Sequence, residues 1–468
     1  IQYLAVDRFY PEWDVWTQYV ADVFSQFLVL DALKSSHPIE VPIGHPSEID
    51  GIFDTISYAT GSSVIRMLHD YIGDDAFRKG LHNYLKDYSY KNTVTFNLWS
   101  HLAKASGKPL IEGYPLVTVY EEQQLNKTRV IKLTQQRFIA DGSTDDDNLQ
   151  WTIPITIFTK SNPKSIAKEI LMDKPEITIT LENISEDDWI KLNYNSIGLY
   201  RVKYELKTLA RLNEPIANKI LSPQDRLMIQ DDIAALCNAG HQSFVDYLKL
   251  LLSYKDEDNF TVWKSIASTI GNLSSLLEYT DYFDQFKKYR LNLCSSIQNR
   301  IGWDATTNEN PLVAMLRPII LTLLGKSDDQ AIIDEAKYRF QQHMSGNLID
   351  PNIRPAVYVV VSHYGDKNSA LSRVGRDIVW KFLQKNWTEL VERFGENSVF
   401  LIDFVEVNIN LFHFFHEADH ALIYLVWLMQ FPNTSTVTLA VKQVIETIKM
   451  RSNVLKRDSK AIEEYLLQ

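Results

Sequence analysis

Apolar positions recur at helical spacing over the first 112 or so residues. Val64, Met67, Leu68, Tyr71 and Ile72 fall three or four apart, which predicts one buried helix face. Gly73 stops that helix, and Asp74 or Asp75 is placed to cap the next, whose apolar stripe is Phe77, Leu81, Tyr84, Leu85 and Tyr88. Thr95 is placed to cap a third helix that buries Trp99 and Leu102, and Ser106-Gly107-Lys108-Pro109 ends it.

From about 113 to 206 the period changes to two. Leu116–Tyr120, Arg129–Leu133, Trp151–Ile157 and Ile177–Leu181 alternate or are rich in β-branched residues, and a turn-rich stretch, 141–148, separates two of them. Several short strands with such loops predict a small β-sandwich. From about 207 onward the period is helical again. Ser222-Pro223 sets a cap residue before a proline at the first helical position, with Asp225 in the first turn. Breaks follow at Gly240, Gly302, Pro351, Gly365 and Pro432 without a strict repeat, so the expected arrangement is an irregular stack of helix pairs. The expected fold class is α+β in three parts: helical over 1–112, a β-sandwich over 113–206, and helical over 207–468.

Composition narrows the function classes. The chain has 468 residues, 45% hydrophobic and 23% charged, an ordinary globular balance with material for several cores. A net charge of −11 argues against nucleic acid and anionic membranes as partners, since both need clustered positive charge. Two cysteines, Cys237 and Cys294, allow at most one bridge and no cysteine-rich metal site, which fits a reducing compartment. The sequons at Asn126, Asn183, Asn259, Asn272, Asn386 and Asn433 point more weakly toward secretion. The longest apolar run, Ala421–Met429, falls short of the ~20 residues that span a bilayer. The chain opens at Ile1 in mid-pattern, without a signal-like segment, as a piece of a longer protein would.

The segment with most chemical content is FDTISYATGSSVIRML, Phe53 to Leu68. By itself Tyr58 is a partly buried aromatic at a helix start. The wider stretch Ser36–Leu85 resembles the zinc aminopeptidase family that includes aminopeptidase N, and within it the puromycin-sensitive type. The resemblance continues collinearly through Trp189-Ile-Lys-Leu-Asn193, Gly198-Leu-Tyr-Arg201 with Tyr204, and Asp225-Arg226. It extends through Gly375-Arg376, Trp380-Lys-Phe382, Asn386-Trp387, Leu455-Lys-Arg-Asp458 and Tyr465-Leu-Leu-Gln468.

That resemblance implies the C-terminal part of a thermolysin-like catalytic domain, then a β-sandwich, then a helical domain that closes over the site. It implies a zinc-dependent aminopeptidase releasing N-terminal residues from peptide substrates, in the cytoplasm, or else from a secreted or membrane-anchored parent. It gives Tyr58 the role of hydrogen-bond donor to the oxyanion of the tetrahedral intermediate and sets Phe53 near the pocket for the substrate's first side chain. A preplaced phenol suits the first role because the carbonyl oxygen gains charge as water adds. For Arg66 a structural salt bridge is expected. The family's single zinc ion is held by HExxH and a downstream glutamate, and these ligands are expected upstream of Ile1. No metal ligand is therefore expected within this chain, and no hydrolysis by this chain alone. Thr60 departs from the family, which usually has lysine there. So do the short run from Ile111 to Gly113 and the step from Asp366 to Gly375, where family segments are missing. These departures support a second expectation, a non-catalytic paralogue acting as a peptide- or protein-binding module.

A literal HExxH does occur, at His416-Glu417-Ala418-Asp419-His420. Such spacing sets two histidines on one helix face around a general base. The downstream glutamate is missing, with Leu439 and Ala440 in its place, and the longer metzincin pattern fails at Ile423 and Val426. The expectation is a solvent-facing helix turn rather than a metal site. His37 and His45 are expected to structure a loop.

Overall fold

The protein is described by a computed structural model over residues 2–33, 55–106, 115–124, 127–143, 149–364, 385, 386, 389 and 435–468. The fold is α+β, and the chain divides into two compact units: Ile1–Ala32 with Ser36–Asp232, and Leu33–Ser35 with Ile233–Gln468.

The first unit begins with α1 (Gln2–Phe9), α2 (Val15–Tyr19), a π-helical turn (Val20–Phe24) and α3 (Ser25–Asp31). Then come α4 (Thr55–Ile72), α5 (Asp74–Asp87) and α6 (Thr95–Ser106). Leu68, Ile72, Phe77 and Leu102 form one core cluster, with Tyr71, Leu81 and Trp99 packed against it. Gly80 permits the close approach of α5 to α6, because a Cβ there would stand 2.8 Å from Leu102 Cδ2 and 3.1 Å from its Cα. Two local expectations are corrected. The cap of α5 is Gly73 (φ 86°), not an aspartate side chain; the Asp74 carboxylate instead accepts from Arg78 Nε at 2.6 Å and lies 2.9 Å from His69 Nε2. Leu85 is 63% exposed, off the apolar stripe.

The sandwich follows: β1 (Leu116–Gln124), β2 (Thr128–Gln136), β3 (Ile153–Thr159), β4 (Lys168–Met172), β5 (Glu176–Leu181), β6 (Ile190–Leu192) and β7 (Arg201–Tyr204). One sheet has the order β5-β2-β1-β7, the other β4-β3-β6. β1 pairs antiparallel with β2 and parallel with β7. Val117, Val119, Ile131, Leu133, Ile155, Ile157 and Leu192 are buried, giving the alternating inner faces such a sandwich requires. Short helices α7 (Leu206–Arg211) and α8 (Asn213–Ala217) lead to α9 (Pro223–Asn238).

The second unit takes the end of α9 and continues with α10 (Phe244–Leu251), α11 (Phe260–Leu277), α12 (Phe283–Ile301), α13 (Pro311–Gly325), α14 (Gln330–Met344), α15 (Arg354–His363) and α16 (Ser435–Leu466). Ser243, Asn259, Asn310 and Asp329 each cap a helix by accepting from the first-turn N–H groups. Gly240 (φ 79°) and Gly302 (φ 56°) break the chain in left-handed conformation, as their type allows. Cys237 and Cys294 are buried and free, and burial pushes the Cys294 thiol up to about 12. Among the described residues no helix is long and apolar enough to cross a membrane.

Candidate functional site

Tyr58 stands in the first turn of α4 and is 65% exposed. The opposite face of that helix is locked. Ala59, Ser63 and Met67, four apart, are buried, as are Thr60, Leu68 and Ile72. The hydroxyls of Ser62 and Ser63 donate back to the Ala59 carbonyl at 3.0 and 2.7 Å. With both serine protons so used, the single Tyr19 Oη proton is shared between the two serine oxygens, each 3.0 Å away.

Arg66, two turns beyond Tyr58, fastens the same helix. Its guanidinium donates to the carbonyls of Ser196 (3.0 Å) and Asn195 (3.3 Å) and lies 5.2 Å from the Trp16 ring and 5.4 Å from the Tyr19 ring. Burial lowers its pKa to about 10. The contacts expected of a structural ion pair are here made with backbone oxygens and aromatic faces. The side chain of Tyr58 is thus presented on the open face of a helix that cannot easily rotate.

Thr60, the departure from the family pattern, faces inward. It is 7% exposed, and its Oγ1 has no hydrogen-bond partner among the described residues. Phe53, His37, His45, the HExxH of 416–420 and both short runs, near 111 and 366, lie outside the described residues.

Of the other stretches that carry the resemblance, those around Lys191, Arg201, Asp225 and Asp458 prove to be internal fasteners, while Gly375-Arg376, Trp380-Lys-Phe382 and Trp387 lie outside the described residues. Lys191 Nζ, 4% exposed, donates to Asp225 Oδ1 at 2.8 Å and to the carbonyls of Leu192 and Asn193 at 2.9 and 3.0 Å. Asp225, 1% exposed, also accepts from the Ser222 hydroxyl at 2.8 Å. Arg201 Nη1 meets Asp231 at 2.9 Å and Asp232 at 3.0 Å, while the Val202 N–H donates to Asp232 at 3.0 Å. Burial pushes the Asp232 carboxyl up to about 7 against the pull of Arg201. One guanidinium facing two carboxylates leaves an excess negative charge to be protonated. In the second unit Asp458 accepts from the Phe244 N–H at 3.1 Å and from Arg457 at 2.9 Å. The sequence shows these residues only as a family likeness; their burial and pairing follow from the fold.

Among the described residues no group of three or more His, Cys, Asp or Glu could hold a metal ion, so these residues do not fit the family's zinc. What they offer is one hydrogen-bond donor on a fixed helix.

Residues 1–114 match the peptidase family M1 domain, and residues 189–370 match the ERAP1-like C-terminal domain. Aminopeptidase M1-A of Oryza sativa subsp. japonica is 36% identical over 388 residues, covering 79% of this chain and 43% of that protein. The puromycin-sensitive aminopeptidase of Caenorhabditis elegans is 32% identical over 379 residues, covering 78% and 40%. The alanine/arginine aminopeptidase of Saccharomyces cerevisiae is 31% identical over 382 residues, covering 79% and 43%. The chain thus spans a little under half the length of these curated relatives. With both family segments in order, the chain belongs to the M1 peptidase family of the aminopeptidase N type.

Proposed function

We propose that this chain is the oxyanion-stabilising and substrate-enclosing part of a zinc-dependent aminopeptidase that releases N-terminal residues from peptides in the cytoplasm. The observation that carries the reading is Tyr58, 65% exposed at the first turn of a helix whose far side is held by Tyr19 and Arg66. Its phenol donates a hydrogen bond to the carbonyl oxygen as that oxygen gains charge. Such a donor costs no reorganisation at the moment of reaction because the helix is already fixed. Phe53 borders the pocket for the first side chain. Residues 1–112 carry this chemistry and 113–206 brace it. Zinc and its ligands belong to the part of the family's length that this chain does not span.

The test compares the full-length protein with the 468-residue chain on an aminoacyl-coumarin substrate. Hydrolysis by the full-length protein alone is the expected result; hydrolysis by the chain by itself contradicts the division of labour. A second reading, a non-catalytic binding module, draws on Thr60. It would be supported by a full-length protein that binds peptides and hydrolyses none.

A further inference from the structure

Within the first unit the far end of α4, the strands β3 and β4, and the turn after β6 enclose a cleft of about 160 Å³. Its walls include Met67, Asp70 and Tyr71 from α4, Thr156 from β3, Glu169 from β4 and Tyr194 from the turn. Among the described residues the charged side chains lining it are Asp70 and Glu169, both acidic. Two tyrosines, Tyr71 and Tyr194, line the same space. Tyr71 and Glu169 line the same cleft, and burial, then the charge of Glu169, raise the Tyr71 pKa.

The cleft is preorganised. The Tyr194 hydroxyl donates to the Lys164 carbonyl at 2.9 Å, its ring meets Phe158 edge-on at 5.1 Å, and its N–H donates to Thr156 Oγ1 at 2.9 Å. The floor is held by the Asn193 side chain, which donates to the Gly198 carbonyl at 2.8 Å and accepts from its N–H at 2.7 Å. Arg66 grips the same turn through the Asn195 and Ser196 carbonyls. The cleft is also remote from Tyr58. Asp70 and Tyr71 lie twelve and thirteen residues further along one helix, on the order of 18–20 Å at ~1.5 Å per residue.

We propose that this cleft is a binding site for an organic cation, and that the guanidinium of an arginine side chain is the head group it fits. A guanidinium needs a carboxylate for paired N–H donation and an aromatic face for its plane, and both are here. A divalent metal does not fit, because it wants a cage of hard oxygens, whereas half of this wall is aromatic or aliphatic. The proposal is independent of the aminopeptidase reading, as it needs no catalysis.

The probe is N-acetyl-arginine amide, whose blocked amine removes any recognition of a peptide N-terminus. Titrated by calorimetry or NMR, it binds saturably. N-acetyl-citrulline amide, the neutral isostere, and the Glu169→Gln variant each weaken binding by at least about tenfold, as loss of a charged hydrogen bond should. Glu169 is exposed, so Glu169→Gln keeps its melting temperature, and Asp70→Asn provides a second variant with the same expected loss. Equal binding of the citrulline probe, no effect of either variant, or no saturable binding overturns the proposal. Tighter binding of N-acetyl-lysine amide than of the arginine probe overturns the guanidinium assignment.

Discussion

Replacing Lys191 by methionine would remove the ammonium and keep most of the side chain's volume. The Asp225 carboxylate, 1% exposed, would keep the Ser222 hydroxyl at 2.8 Å but lose its counter-ion at 2.8 Å. Leaving one charge of a buried pair uncompensated costs about 3–5 kcal/mol. The carbonyls of Leu192 and Asn193 would lose a donor as well, which adds to the same side of the balance. Replacing both partners, Lys191→Met with Asp225→Leu, removes the buried charges together. That double variant should cost less than either single one, because the desolvation penalty disappears with the pair. Hydrogen–deuterium exchange of the segment 189–204 reads the local opening free energy without requiring the two units to melt together. The single variant should exchange roughly a hundred- to a few-thousand-fold faster, since ~1.4 kcal/mol is a factor of ten. Two results would refute the reasoning: exchange in Lys191→Met within about threefold of wild type, or a double variant as fast as the single one.

Other perturbations test other parts of the account. Burial raises the folded-state pKa of Asp232 from the ordinary carboxylate range to about 7, so the native state holds a proton that the unfolded state has released across that window. This group's contribution therefore makes the first unit less stable as pH rises from about 4 to 7. The melting temperature of wild type should fall relative to Asp232→Asn over that range, and a constant difference contradicts it. Thr60→Val removes a buried hydroxyl that has no partner among the described residues and should stabilise by about 1 kcal/mol; a comparable loss on thermal denaturation would show that the hydroxyl is bonded. Gly325→Ala would set a methyl 2.4 Å from Val360 Cγ2, where α13 meets α15, and should destabilise the second unit by about 1–3 kcal/mol in urea; a neutral result contradicts the packing.

Much of this fold is legible in the chain. The 3.6-residue stripe of α4 and the strands β1, β2, β3 and β5 follow from the spacing of apolar and β-branched residues. The strands β4, β6 and β7 are not legible. Ile190–Leu192 is buried at every position and only three residues long, so it has no alternation to detect. The cap of α5 is misjudged because Asp74 has better partners in Arg78 and His69 than the helix N–H groups. At the site, the position of Tyr58 could be anticipated from likeness, but its exposure and the brace behind it could not. Arg66 binds carbonyls about 130 residues away in sequence, a pairing that no local pattern encodes. The cleft at Glu169 has the same origin, since β4 brings that residue to the cleft that Tyr71 lines, across nearly a hundred residues of chain.

The central claim is that Tyr58 donates to a developing oxyanion. In the full-length protein, Tyr58→Phe keeps the ring and removes only the hydroxyl. The measurement is kcat and KM on an aminoacyl-coumarin substrate for the two proteins. The account predicts a kcat lower by ~10²–10³ with KM little changed, because the bond forms in the transition state and not in the bound substrate. An unchanged kcat, or a loss confined to KM, would contradict it.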